Sequence, residues 1–259
     1  MNKLNSCEQF ERLINIIKKL RGEGGCPWDR EQTSKSLIPY LLEETYEVIE
    51  AIEENNSDAL KEELGDLTLH VLFQAEITAE NGQFEIADSL KEICDKLVRR
   101  HPHVFGEKEN IKTNEVLLNW ETAKRKEKKR GNYLDGVPKN LPALTRARRI
   151  QEKASHVGFD WKEIEPIWAK VHEEIQELEE AFKIGDFEKI EEELGDSIFS
   201  MVNLGRFFNI SSEEALRKTI SKFETRFSGI EKKLKENNRS LEEATLEEMD
   251  AIWEEEKGK

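Results

Sequence analysis

The sequence predicts an all-α protein built from tandem duplicated four-helix-type bundle domains. Helical periodicity runs through both halves, and no segment alternates as a strand would. Charged and hydrophobic residues each make up 37% of the 259 positions, with many Glu/Lys pairs four apart, the balance of solvated amphipathic helices. Two acidic blocks also recur at a constant offset of 130 positions: Glu43-Glu44-Thr45-Tyr46-Glu47 as Glu173-Glu174-Ile175-Gln176-Glu177, and Glu62-Glu63-Leu64-Gly65-Asp66 as Glu192-Glu193-Leu194-Gly195-Asp196. Chance does not keep two such blocks in register, so the chain carries an internal repeat.

The elements follow in order. Residues 7–20 are amphipathic through Phe10, Leu13, Ile14, Ile17 and Leu20. A loop is expected over 22–30, punctuated by Gly24-Gly25-Cys26-Pro27. A long helix over about 33–52 carries the first EExxE, with Leu37, Leu41, Val48 and Ile52 as its core arc, flanked by Ile38 and Ile49. Asn55-Asn56-Ser57 breaks it, and Ser57 is a plausible N-cap for the next helix. That helix holds EELGD and stops near Asn81-Gly82. Further helices are expected over 86–100 and 114–129. Gly136, Pro138 and Pro142 mark a linker, which divides the chain into an N-terminal domain (1–130), the linker itself (131–142) and a C-terminal domain (143–259). The second half repeats the plan at 164–182, 187–208, 212–236 and 246–256.

A formal net charge of -15 and a pI near 5.0 oppose binding to nucleic acid polymers or anionic membranes. No stretch has the length and apolarity of a membrane span, and the polar start lacks a signal-peptide pattern. The three cysteines, Cys7, Cys26 and Cys94, are odd in number and widely spaced, which favours a reducing cytoplasm over a disulfide framework or zinc knuckle. The basic run from Lys124 to Arg130 contains Glu127 and reads as a solvated helix face. His101-Pro102-His103 reads as a turn with one hydrogen-bonded imidazole, because proline breaks helical ligand spacing.

The acidic blocks are different from a solvated charge run. Glu44 and Glu47 fall at one edge of their helix's core arc, and Glu63 and Asp66 share a face of the next helix. In an antiparallel hairpin these carboxylates converge, which costs several kcal/mol unless cations or protons neutralise them. Magnesium suits such an all-oxygen donor set and leaves positions for water and phosphates. A ferritin-like di-iron site wants Glu-x-x-His, which is absent here, and the acidic loop of an EF-hand is absent too. Gly65 and Gly195 remove a side chain beside each ExxD pair, as a close approach by a helix or phosphate would require. The repeat continues more loosely: Lys96…Arg100 matches Lys222…Arg226, and Trp120-Glu121 matches Trp253-Glu254. Cations on one helix face suit a phosphate chain, and a tryptophan suits stacking on any base.

These residues resemble the MazG nucleoside triphosphate pyrophosphohydrolases of the all-α NTP pyrophosphatase superfamily. The resemblance covers almost the whole chain and includes Gly25-Cys26-Pro27-Trp28-Asp29, the doubled EExxE…ExxD, Arg99-Arg100-His101-Pro102-His103-Val104-Phe105 and Val157-Gly158-Phe159-Asp160-Trp161. It implies a tandem-domain, dimeric, magnesium-dependent enzyme that cleaves nucleoside triphosphates of broad base range into a monophosphate and pyrophosphate. Carried over by motif, Glu174, Glu177, Glu193 and Asp196 would ligate magnesium, with a second, weaker site at Glu44, Glu47, Glu63 and Asp66. Lys170, Glu173, Lys189, Glu192, Lys222, Arg226 and Trp253 would surround the nucleotide, and Glu173 or Glu192 would orient or deprotonate the water.

The two copies are not equivalent. Under the offset, Lys170 falls on Tyr40 and Lys189 on Ala59, so the N-terminal copy lacks two cations suited to a triphosphate. Catalysis is therefore expected mainly in the C-terminal half. Competing readings are a non-catalytic helical interaction protein, and a narrow pyrophosphatase for one modified nucleotide or an alarmone.

Overall fold

The computed structural model describes residues 5–106 and 132–258, which form two compact units. The helix expected over 114–129, the basic run from Lys124 to Arg130 and Trp120-Glu121 lie outside the described residues. Within the described residues all regular structure is helical, as predicted, and the bundle plan occurs twice.

The first unit contains α1 (Ser6–Arg21), α2 (Pro27–Glu31), α3 (Ile38–Glu53), α4 (Ser57–Glu80), α5 (Ile86–Arg100) and α6 (Pro102–Phe105). A reciprocal capping box starts α1: the Asn5 side chain accepts from Glu8 N at 3.0 Å, and the Glu8 carboxylate accepts from Asn5 N at 2.7 Å. The loop expected at 22–30 is not wholly irregular, because Pro27 opens the short α2, where a missing N–H is harmless. α3 begins at Ile38 rather than near 33. Pro39 is tolerated only in a first turn, and Thr33 and Ser36 close a side-chain-bonded turn ahead of it. The N-cap of α4 is Asn56, one residue before the expected Ser57, and its side chain accepts from Ala59 N at 3.2 Å. His101 Nδ1 lies 2.7 Å from Leu97 O, the single bonded imidazole expected of that turn. Ile17, Leu37, Leu72, Phe73 and Ile77 form the core, with Phe10, Leu13 and Ile14 of α1 packed against them.

The second unit contains α7 (Ala143–Ser155), α8 (Ile164–Ile184), α9 (Phe187–Phe207), α10 (Ser212–Glu236), a 3-10 turn (Leu241–Glu243) and α11 (Leu246–Lys257). The sequence reading placed no helix at α7. Asp186, Ser211 and Thr245 cap α9, α10 and α11 with their side chains. Ile230, Leu234 and Ile252 form a cluster between α10 and α11, packed by Phe227, Met249 and Trp253.

The offset of 130 holds in three dimensions. The buried positions Leu37, Ala51 and Leu72 recur as the buried Ile167, Ala181 and Val202. The helical hairpin corner recurs too: Asn55 turns the chain at φ 55° and Gly185 at φ 77°. Both residues tolerate that left-handed conformation. One expectation fails: Ile52 of the core arc of α3 and Ile38 on its flank are half exposed, and their counterparts Trp168 and Phe182 are 44% and 75% exposed. Leu37 of the same arc is buried as expected, at the N-cap of α3, Leu41 and Val48 are half-buried, and Ala51 is the buried residue within the helix.

Candidate functional site

Each hairpin brings its acidic blocks together. Glu174 and Glu177 stand one turn apart on α8, and Glu193 comes from α9. One oxygen from each of these three lies within 4.8 Å of the others. Glu174 and Glu193 are buried, with 5% and 7% of their surface exposed. Asp196 is exposed, outside that trio, and lines a cavity together with Lys170 and Glu174. In the first unit Glu44, Glu63 and Asp66 meet the same 4.8 Å criterion, and Glu47 hydrogen-bonds to Glu44.

Burial, and then mutual repulsion, push Glu193, Glu63 and Glu44 toward protonation. Glu193 is raised by burial first and by Glu177 next, with Lys189 opposing. Glu63 is raised by burial and then by Glu47. Glu44 is pushed up to about 7 by burial, then by the hydrogen bond and charge of Glu47. All-oxygen donors that ionise reluctantly without a cation fit a hard divalent metal.

The copies differ in what neutralises this charge. Lys170 Nζ lies 2.7 Å from Glu174 and 2.9 Å from Glu173, and these hydrogen bonds push its pKa up, so it stays charged. Lys189 Nζ lies 3.7 Å from Glu193. In the first unit Tyr40 and Ala59 replace both lysines. There His70 Nε2 lies 3.7 Å from Glu44, but burial pushes its imidazole below the ordinary range, making it a poor cation. Its ring stacks on Tyr40 at 6.3 Å, and Trp28 packs edge-on against Tyr40 at 5.9 Å.

A pH dependence follows. The folded pKa of Glu44, about 7, exceeds its ordinary 4.5, so the folded state binds more protons than the unfolded state between these values. In EDTA, stability should fall as pH rises from 4.5 through 7, lowering the melting temperature by about 3–6 °C. Glu44→Gln should flatten that slope, as should magnesium. Thermal melts at pH 5 and 8 check this, and a melting temperature that rises with pH in EDTA would contradict it.

Beside the C-terminal carboxylates lies a cavity of about 630 Å³. Ile150 and Gln151 of α7, Phe199, Ser200 and Asn203 of α9, and Phe159, Asp160 and Trp161 of the loop before α8 line it. Arg206 clamps that loop with both guanidinium nitrogens on Asp160, Nη1 at 3.0 Å from Oδ2. Sequence reasoning assigned no role to Gln151, Arg206 or Phe199. Gln151 lies on α7, where no helix was expected, and Phe199 and Arg206 lie on the expected α9 but beyond its acidic motif.

Other expected residues are placed differently. Glu173 pairs with Lys170, while Glu192 is exposed on α9. Lys222, Arg226 and Trp253 are not among the residues lining the cavity. Arg226 stands over the Trp253 ring, 5.5 Å from its centroid, and Phe223 packs on that ring at 5.1 Å. In the first copy Lys96 pairs with Glu92 at 3.4 Å and Arg100 is buried, so that K-x-x-x-R pair does not present two surface cations. A Cβ on Gly65 or Gly195 would meet nothing within 4 Å, so no neighbouring helix demands glycine there, contrary to one expectation.

Among the described residues, no helix is long and apolar enough to cross a membrane. The sequence model of the family described as "MazG nucleotide pyrophosphohydrolase domain" matches residues 32–105 and 162–229, which contain both carboxylate sets. The chain is 48% identical over 251 residues to a Thermotoga maritima protein named nucleoside triphosphate pyrophosphohydrolase/pyrophosphatase MazG, covering 96% of each. It is 43% identical over 251 residues to the Escherichia coli nucleoside triphosphate pyrophosphohydrolase, covering 95% of each. With two matched segments, each centred on one of the carboxylate hairpins, the chain belongs to the MazG nucleotide pyrophosphohydrolase family.

Proposed function

We propose that this protein hydrolyses nucleoside triphosphates between the α and β phosphates, with broad base range, mainly at the C-terminal site. The carrying observation is the Glu174–Glu177–Glu193 trio, two of them buried, with Lys170 and Lys189 paired to it and a nucleotide-sized cavity alongside. Glu174, Glu177, Glu193 and Asp196 would hold magnesium, and Glu44, Glu47, Glu63 and Asp66 a second, weaker site. When bound, magnesium supplies charge at the phosphate oxygens and acidifies a coordinated water. A water oxygen adds to the α phosphorus, the α–β bridging bond breaks, and pyrophosphate leaves. Lys170 and Lys189 would stabilise the charge on that leaving group. Lys222 and Arg226 would add to this from α10, with Trp253 holding the Arg226 guanidinium and completing the nucleotide contacts. Glu173 and Glu192 are the proposed groups that orient the water or accept its proton.

The proposed domain division is 1–130, linker 131–142 and 143–259. Lys153 Nζ donates to Tyr133 O and Asp135 O at 3.2 and 2.9 Å, which ties the first part of the linker to α7. A homodimer is proposed because both hairpins leave equivalent apolar side chains in water: Ile38 and Trp168, Ile52 and Phe182, Leu64 and Leu194. The three unpaired cysteines support a reducing cytoplasm.

The test is pyrophosphate release from mixed nucleoside triphosphates. Release is expected with magnesium and none with EDTA. Silence toward every common and modified triphosphate would favour a non-catalytic interaction protein. Activity confined to one modified nucleotide or an alarmone would favour the narrow pyrophosphatase.

A further inference from the structure

The cavity beside the C-terminal carboxylates contains an unanswered acceptor. Gln151 is more than nine-tenths buried on α7 and lines the cavity. Its Nε2 donates to Phe199 O at 2.9 Å, while its Oε1 is buried and has no hydrogen-bond partner. Other polar lining groups are engaged. Ser200 Oγ donates to Ser197 O at 2.9 Å, and Asn203 Oδ1 accepts from Arg206 at 3.0 and 2.8 Å. A buried carbonyl left unpaired costs free energy, which an incoming N–H would recover. Two aromatic side chains on the loop that Arg206 clamps are also left in water: Phe159 is 82% exposed and Trp161 44%.

We propose that this cavity is the nucleobase pocket, in which Phe159 and Trp161 cover the base and Gln151 Oε1 accepts an N–H from its pairing edge. The proposal rests on the reading that nucleoside triphosphates are the substrates. The cavity's shape supports it: the same cavity that holds Gln151 reaches Lys170, Glu174 and Asp196. Phosphates at the carboxylate wall and a base at the Gln151 wall therefore share one continuous space. The chemistry also explains breadth, because adenine and cytosine offer an exocyclic amine, while guanine, uracil and thymine offer a ring N–H. Every common base can answer one acceptor. Trp161 and Phe159 supply stacking on the base from this loop, while Trp253, with Arg226 on its face, keeps its proposed nucleotide contact.

The test removes the donor without adding bulk. The full-length protein is assayed with ATP against purine riboside triphosphate, and with CTP against the pyrimidin-2-one riboside triphosphate, each analogue lacking the exocyclic amine. The wild-type protein should prefer the amine-bearing member of each pair by about tenfold in kcat/KM. Gln151→Leu should bring both ratios near one, by lowering activity on ATP and CTP and leaving the analogues almost unchanged. Ratios near one in the wild type would overturn the proposal, whatever the variant does. So would a preserved tenfold preference in a Gln151→Leu protein of normal helicity. If no nucleotide releases pyrophosphate, the catalytic reading fails separately, and the same ratios measured as Kd still decide whether the cavity reads the base.

Discussion

Glu174→Ala is expected to abolish pyrophosphate release, lowering kcat by at least about a thousand-fold, with helix content unchanged. Glu174 is 5% exposed, contributes to the carboxylate trio, and holds Lys170 at 2.7 Å. Its loss would remove a proposed metal donor and the anchor that aims Lys170, which then keeps only Glu173 at 2.9 Å. A metal clamp supplies several kcal/mol of charge stabilisation to phosphoryl transfer, and about 4 kcal/mol corresponds to that thousand-fold. Stability should not follow activity. The change relieves repulsion from Glu177 and Glu193 but also breaks the Lys170 contact, so in EDTA the variant should melt close to wild type. Glu174→Gln separates charge from packing: it keeps the shape and should be equally inactive. Circular dichroism, an EDTA melt and a pyrophosphate assay cover all three points. Retained turnover in either variant would remove Glu174 from the site.

The matched pair Glu177→Ala and Glu47→Ala should be sharply unequal, the first nearly inactive and the second nearly wild type. These residues correspond under the offset of 130, and each neighbours the carboxylate cluster of its own hairpin. The difference lies in the surrounding charge. A magnesium triphosphate keeps net negative charge as it enters a pocket lined with carboxylates. In the C-terminal copy Lys170 and Lys189 sit on Glu174 and Glu193 and offset it. In the N-terminal copy Tyr40 and Ala59 cannot, His70 is held toward its neutral form, and Glu44 is driven up to about 7. Each charge-assisted phosphate contact contributes about 1.5–3 kcal/mol, so losing two lowers turnover by orders of magnitude. Side-by-side rates on several triphosphates give the answer. Equal losses in the two variants would mean that the lysines do not distinguish the copies.

Much of the carboxylate arrangement was legible because it is local. Residues three apart on a helix share a face, and a two- or three-residue break between helices makes a hairpin. Glu174, Glu177 and Glu193 could therefore be brought together on paper, and so could Glu44, Glu63 and Asp66. The turn chemistry was legible to within a residue, since Asn56 and Asp186 cap their helices one position after the left-handed Asn55 and Gly185. Helix α7 was not legible, because Pro138 and Pro142 made the approach to it read as linker. Ile38 and Ile52 were misplaced for a different reason. Periodicity shows that a helix has an apolar face, but both sides of α3 are apolar enough to qualify.

The sequence by itself determined the fold class, the duplication, the two acidic sets and the cations missing from the first copy, since each is a matter of spacing along one helix or of one aligned position. Only the tertiary structure decided which carboxylates are buried and that Lys170 and Lys189 rest on them. It also decided that α7, α9 and the loop before α8 enclose a cavity around an unanswered Gln151 Oε1. Burial and cavities arise where distant segments meet, and no spacing within a single helix encodes that meeting.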